Sequence, residues 1–251
     1  MGTLLTNIRF AAKGTIALLI TYLLPQRFLF LFGEKMTATT STASFIEFLV
    51  GQGVLKFGDF TLNSGRKSPY FFNLGSVDDG PGLLTLGRAY ADAIVASKVE
   101  FDVLFGPAYK GIPIAVATGL ALAERGINVG VAYNRKEAKD HGEGGNLVGA
   151  PVKGRILLVD DVLTSGKAIR TAVDLIKVEG AEIAGVVIAL DRAEFGPSGQ
   201  TAVDDLATDL AAPMVSIAGV ADVISFLQGQ DDMQSVLQSM RAYQQAYCKL
   251  A

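Results

Sequence analysis

The chain reads as an α/β protein built on a central parallel sheet with helices on both faces. Three observations predict this. From Val103 onward, short aliphatic runs alternate with segments of helical periodicity, the order that yields parallel strands joined by crossover helices. Ile156 to Val159 are four consecutive aliphatics, as a strand covered on both faces requires. Hydrophobic residues make up 50% of the 251, enough for a continuous core.

Taken in order, Ser41 caps a short helix that shows Phe45, Phe48 and Leu49 on one face and stops at Gly51 and Gly53. Two strand-like pieces follow, Val54 to Leu62 and Tyr70 to Leu74, joined by the turn-prone Asn63-Ser64-Gly65. Pro81 opens a helix through Ile94, because a residue without N–H is tolerated in a first helical turn. The alternating part comprises strand Val103 to Phe105, helix Ile112 to Glu124, strand Asn128 to Tyr133, a loop, strand Ile156 to Asp160, helix Ala168 to Val178 and strand Ile183 to Leu190. A strand near Met214 to Ile217 and helices Val220 to Leu227 and Met233 to Tyr247 complete the chain.

Residues 1–35 differ in composition from the rest. Arg9, Lys13 and Arg27 are the charges before Glu34, and Gly14 to Leu24 is almost wholly apolar, short for a membrane span. The stretch fits a signal-peptide core or a mitochondrial presequence; the expectation is an over-extended start with Met36 as the working initiator, or a targeting or dispensable extension, ahead of a domain at 36–251. The net charge of −3 gives no general attraction to nucleic acid, so anion binding must come from local placement of basic groups. The single cysteine, Cys248, excludes an internal disulfide and a multi-cysteine metal site, and the single histidine, His141, excludes a histidine metal cluster.

The most informative run is Arg155-Ile-Leu-Leu-Val-Asp-Asp-Val-Leu-Thr-Ser-Gly-Lys-Ala-Ile-Arg170. Asp160 and Asp161 emerge at the carboxyl end of the apolar strand, where open α/β sheets bind ligands. Thr164, Ser165 and Gly166 follow at once. Such small residues let backbone N–H groups close around a phosphate, and the next helix, with Ile169, Ala172, Val173 and Ile176 on one face, aims its positive end at that anion. Carboxylates beside a phosphate nest are compatible if the ligand is a ribose 5-phosphate, whose 2- and 3-hydroxyls donate to the acids. The spacing is not that of a Walker loop.

Asn134 to Gly149 is too polar to bury, with four glycines and seven charged or titratable residues among sixteen. A structureless loop of this length in an α/β domain reads as an active-site lid. Arg135, Lys136, Lys139 and His141 would carry positive charge to a leaving group as it closes.

The Asp160-Asp161 run resembles the binding motif for 5-phosphoribosyl 1-diphosphate (PRPP) in type I phosphoribosyltransferases. Asn-Arg-Lys-Glu-Ala-Lys-Asp-His-Gly-Glu-Gly-Gly, starting at Asn134, resembles the catalytic loop of the orotate phosphoribosyltransferases. Phe60-Thr-Leu-Asn-Ser-Gly-Arg-Lys-Ser-Pro-Tyr-Phe-Phe-Asn73 is similar to their orotate-side segment, and Gly106-Pro-Ala-Tyr-Lys-Gly-Ile-Pro113 to their pyrophosphate-side loop. The likeness runs from about Phe45 to the carboxyl end.

This resemblance implies the type I phosphoribosyltransferase fold, with a small hood subdomain and a flexible lid. It implies transfer of phosphoribose from PRPP to orotate with Mg2+, giving orotidine 5-monophosphate and pyrophosphate, by a cytoplasmic homodimer that shares lids between subunits. By the same resemblance Asn63, Tyr109, Lys110, Arg135, Lys136, Lys139, His141, Asp160, Asp161 and Val162, Leu163, Thr164, Ser165, Gly166, Lys167 and Ala168 bind PRPP. Lys136, Lys139, His141, Asp160 and Asp161 carry the catalysis. Phe71, Phe72, Thr164 and Arg192 bind orotate, Arg192 pairing with its carboxylate. Magnesium is expected on PRPP oxygens and water, with no dedicated protein ligands.

Two residues depart from the family pattern. Asn63 stands where a lysine is common, so that contact is missing or supplied by Arg66 or Lys67. Lys167 replaces a small residue, either adding charge at the 5-phosphate or pointing to solvent.

Overall fold

The structure, a computed structural model, describes residues 40–62, 65–139, 145–164 and 166–250. The apolar extension at 1–35 lies outside them. Helix α1 (Thr42–Gly51) starts on Ser41, whose Oγ accepts from the Ser44 N–H at 3.1 Å. Strands β1 (Leu55–Thr61) and β2 (Lys67–Phe72) pair antiparallel as a separate two-stranded sheet, with a register shift between Phe57 and Phe60. Helix α2 (Gly80–Ser97) is capped by Asp79, whose Oδ1 accepts from Gly82 N at 2.7 Å, and has Pro81 in its first turn. There follow β3 (Val103–Gly106), α3 (Gly111–Glu124), β4 (Gly130–Lys139), β5 (Gly145–Gly149), β6 (Arg155–Val162), α4 (Lys167–Val178) and β7 (Glu182–Asp191). The chain ends with α5 (Ala202–Leu210), β8 (Met214–Gly219), α6 (Val220–Gln228) and α7 (Gln234–Tyr247).

The main sheet has the order β5-β4-β3-β6-β7-β8, parallel throughout except for β5. Its strands alternate with period two between two cores. Leu157 and Val159 of β6 and Val187 and Ala189 of β7 pack with Leu86, Tyr90 and Ile94 of α2 and Ile114 and Leu122 of α3. Ile156 and Leu158, with Val186 and Ile188, face Ile169, Ala172, Val173 and Ile176 of α4 and Leu206 of α5. Both faces of β6 are therefore dry, which is why its sequence is aliphatic without interruption.

Two segments differ from the sequence expectation. Much of the expected loop at 134–149 is ribbon: β4 runs on to Lys139 and β5 returns antiparallel, pairing Tyr133 with Val148, Asn134 with Leu147 and Lys139 with Gly145. An antiparallel pair satisfies its own backbone with polar side chains on both faces, so hydrophobic periodicity does not report it. Helix α5 was not expected at all. It is set by Thr201, whose Oγ1 accepts from Asp204 N at 3.1 Å while Asp204 Oδ2 accepts from Thr201 N at 3.4 Å. This reciprocal pair was visible as Thr-x-x-Asp.

The turn from β3 into α3 depends on close backbone approach. A Cβ on Gly106 would lie 2.1 Å from the carbonyl oxygen of Gly111, and backbone cannot yield as a side chain can. Gly106→Ala is expected to destabilise the protein by on the order of 1–3 kcal/mol. Thermal denaturation followed by circular dichroism checks this; an unchanged Tm would show that the turn opens without cost.

Candidate active site

The carboxyl ends of β3, β6 and β7 open on two adjoining cavities. The smaller, about 280 Å³, is lined by Ala108, Tyr109 and Lys110, by Asp160 to Thr164 and by Gly166 to Ile169. The larger, about 930 Å³, is lined by Thr61, Leu62, Arg66, Phe71, Phe72, Asn73 and the stretch from Asp191 to Pro197. Lys110 and the run Asp161 to Thr164 form walls of both.

At their junction stand the two acids. Asp160 and Asp161 are 8% and 6% exposed. Asp160 Oδ1 accepts from the Asp161 N–H at 2.9 Å and Asp161 Oδ1 from the Val162 N–H at 2.8 Å, so each carboxylate is oriented by the backbone after it. The buried Tyr90 hydroxyl donates to the Asp160 carbonyl at 2.7 Å and anchors the strand end. Burial, reinforced by the neighbouring Asp161, pushes the Asp160 carboxyl up to about 7, against the opposing pull of its backbone hydrogen bond and of Lys110. Lys110 Nζ donates to Asp161 Oδ2 at 2.7 Å, tying the β3–α3 turn to β6.

The turn carrying Tyr109 and Lys110 is held from the other side by buried Asn134, whose Oδ1 accepts from Ala108 N at 3.0 Å. Tyr109 is exposed, with Lys136 Nζ 5.0 Å from its ring centroid. Arg135 Nη1 donates to the Gly145 carbonyl at 3.2 Å and braces the β4–β5 ribbon. Val162, Leu163, Thr164, Gly166, Lys167 and Ala168 form one continuous wall of the smaller cavity. Gly166 takes the N-cap position of α4 with φ +64, a left-handed conformation that suits glycine, and no side chain caps the helix. Asn63, His141 and Ser165 lie outside the described residues, as does the side chain of Lys139.

On the far side of the larger cavity, the two phenylalanines have different surroundings. Phe71 is 41% exposed and stacks on Phe60 with centroids 5.5 Å apart, whereas Phe72 is 7% exposed and belongs to the core. Both line the cavity. Arg192 is 8% exposed. Its guanidinium lies over the Tyr70 ring at 4.2 Å, with Nε and Nη2 on Glu194 Oε1 at 2.7 and 2.6 Å. Glu194 also accepts from the Tyr243 hydroxyl at 2.6 Å and from Arg66 Nη1 at 3.1 Å. Of the two candidates to stand in for the lysine missing at 63, Arg66 lines the larger cavity, while Lys67 Nζ donates to Thr61 Oγ1 at 2.7 Å. Sequence reasoning missed Glu194, Tyr70 and Tyr243; the Arg-x-Glu spacing at 192–194 was the one signal available.

Among the described residues no group of three or more His, Cys, Asp or Glu is arranged to hold a metal ion. No described helix is long and apolar enough to cross a membrane.

Residues 73–216 match the model of the phosphoribosyl transferase domain. The chain is 52% identical over 204 residues to the orotate phosphoribosyltransferase of Klebsiella pneumoniae, a span that is 81% of this chain and 96% of that protein. It is 53% identical over 203 residues to that of Chromobacterium violaceum, covering 81% and 95%. The crystal structure of the orotate phosphoribosyltransferase of Francisella tularensis superposes with a TM-score of 0.74 at 38% identity, covering 82% of this chain and 99% of that one.

The raised Asp160 carboxyl has a consequence for stability. The protonated form is the one the fold favours, so the stability it contributes is full below the ordinary carboxylate value near 3.8 and is lost as pH rises through about 7. Asp160→Asn, which cannot ionise, is expected to melt above the parent at pH 8–9, the difference shrinking as pH falls through about 7 and vanishing only below about 3.8. Melting curves across that range check the sign; a variant less stable than the parent at pH 8–9 would contradict it.

Proposed function

The chain belongs to the orotate phosphoribosyltransferase family, enzymes of pyrimidine synthesis that transfer phosphoribose from PRPP to orotate, and on that premise we propose a division of labour within its cleft. The observation that carries it is the pair of adjoining cavities that share Lys110 and the run Asp161 to Thr164, with Asp160 in the wall of the smaller. The smaller suits a sugar phosphate, and the larger a planar anionic base.

In this reading the 5-phosphate lies against the backbone from Val162 to Ala168, where the first turn of α4 leaves N–H groups for an anion and its dipole favours negative charge. Thr164, Ser165, Gly166 and Lys167 belong to that cradle. Asp160 and Asp161 accept hydrogen bonds from the ribose 2- and 3-hydroxyls, and Lys110 then exchanges Asp161 for a pyrophosphate oxygen beside Tyr109. Orotate stacks by Phe71 above Phe72 and within reach of Thr164, its carboxylate on Arg192, a planar fork matched to a carboxylate.

Breaking the anomeric bond leaves an oxocarbenium-like sugar and places charge on pyrophosphate. Cations that meet this charge as it develops lower the barrier more than they tighten ground-state binding. We assign that task to Arg135, Lys136, Lys139 and His141 of the segment 134–149, His141 as cation or proton donor. Asn63 takes the position of the family lysine, with Arg66 as the nearby cation. Magnesium, when bound, would supply charge neutralisation at the pyrophosphate; PRPP oxygens and water would hold most of it, and the carboxylate oxygens of Asp160 and Asp161 are the protein groups that would suit such a cation. The proposed assembly is a cytoplasmic homodimer in which each ribbon completes the partner's cleft.

The full chain is expected to consume PRPP only with orotate and magnesium, read as pyrophosphate release; activity with uracil or hypoxanthine but not orotate would overturn the substrate assignment. Lys139→Ala is expected to lower kcat by on the order of 10²-fold, as does loss of a donor to developing charge. Mixing it with an Asp161→Asn variant should restore part of the activity if ribbons are exchanged between subunits, and no recovery would place each ribbon on its own cleft.

A further inference from the structure

Arg192 is the residue on which orotate recognition turns in the reading above, and the surroundings of its guanidinium fix how it can act. Burial of a cation is costly unless it is paired. Here the pairing is concentrated on one edge: Nε and Nη2 both meet Glu194 Oε1, and Nη2 also reaches Ser68 Oγ at 3.4 Å. The Nη1 amino group makes no hydrogen bond among the described residues. Tyr70 covers one face of the plane. The fork is thus immobilised along one edge, with one face stacked and its remaining donors unspent, in the wall of the larger cavity.

Glu194 is itself fixed from outside the cleft. Its Oε1 takes the Tyr243 hydroxyl from α7 at 2.6 Å, and Oε2 takes Arg66 at 3.1 Å. The backbone repeats the connection: Phe195 N donates to the Tyr247 carbonyl at 2.9 Å, and Lys249 N to the Ala193 carbonyl at 2.8 Å. Tyr243 is 5% exposed and its ring meets Tyr70 edge-on at 6.0 Å. The carboxy-terminal helix therefore reaches Arg192 through Glu194, through Tyr70 and through the Tyr243 hydroxyl itself, which interacts with the guanidinium.

We propose that Glu194 and Tyr243 are positioning residues for base recognition, aiming the unspent edge of Arg192 at the substrate carboxylate, so that α7 belongs to the orotate site although it contributes no lining residue. The proposal rests on the assignment of Arg192 to the orotate carboxylate. Outer partners of this kind orient a binding group without touching the ligand. Glu194 also fixes specificity. With its charge present, Arg192 and Arg66 share one internal carboxylate, and a second planar anion is accepted only in the geometry left by the first.

Tyr243→Phe, which removes one hydroxyl and keeps the ring, is expected to raise KM for orotate by about three- to tenfold while KM for PRPP stays within about twofold. Glu194→Ala should raise KM for orotate by more than about tenfold, and Glu194→Gln, which retains an acceptor for Arg192, should recover part of that loss. Circular dichroism and melting curves separate these effects from unfolding, and calorimetric titration with orotate and with PRPP reads binding if turnover is too low. Equal changes in both KM values, an unchanged KM for orotate, or tighter orotate binding once Glu194 is gone would each overturn the proposal. A parent protein inactive with orotate and PRPP would instead overturn the functional reading beneath it, so the two failures are distinguishable.

Discussion

Everything in the cleft depends on keeping two adjacent carboxylates nearly dry at the end of a strand. β6 is held on both sides by parallel neighbours, with Leu157 opposite Leu104 and Gly185, and Asp160 opposite Ile188. That register carries an apolar strand straight into the acids with no turn in between, and places them at the carboxyl edge beside the N-termini of α3 and α4. The desolvation cost is offset locally, by the backbone N–H groups of Asp161 and Val162 and by the Lys110 ammonium. A site so arranged is electrostatically unfinished. It retains acceptor capacity for donors of the right geometry.

Tension of the opposite sign exists across the larger cavity. Arg192 and Arg66 converge on one carboxylate, Glu194, which sits at the foot of the carboxy-terminal helix. The two walls are complementary: acids with one ammonium at the smaller cavity, guanidinium groups with one acid at the larger. Neither wall could be exchanged with the other without burying like charges together, so the cleft presents electrostatically distinct ends to whatever binds in it.

How much of this was legible depends on the kind of interaction. The aliphatic run and the residues after it announced the strand, its turn and the following helix together, because each depends on neighbours in sequence. The polar stretch at 134–149 did not announce its ribbon, because antiparallel pairing of Asn134 with Leu147 leaves no hydrophobic period to read. Helix α5 went unread although Thr201 and Asp204 carried its cap. The paired phenylalanines were legible as a cavity wall but not as the divided pair they are, Phe71 outward and Phe72 inward, since only the registration of β2 against β1 settles which faces the core. Glu194 and Tyr243 were beyond reach for a similar reason: they lie 49 positions apart and meet only once α7 has packed.

The distribution of helix caps ties fold to function. α1, α2 and α5 begin on Ser41, Asp79 and Thr201, side chains that accept from the first-turn N–H groups. α3 and α4, the two helices that begin at the smaller cavity, start instead on Lys110 and Gly166, neither of which caps through its side chain. An uncapped first turn costs roughly 1 kcal/mol, and natural selection for stability alone would favour Ser, Thr, Asp or Asn at both places. A capping oxygen at either would compete for the same N–H groups as an anionic ligand. At Gly166 it would also require a side chain 2.7 Å from the Arg170 guanidinium and in a left-handed conformation. Missing caps alone do not mark a site, because α6 and α7 also begin without a side-chain cap, on Gly219 and Met233; what sets α3 and α4 apart is that Lys110 and Gly166 line the smaller cavity.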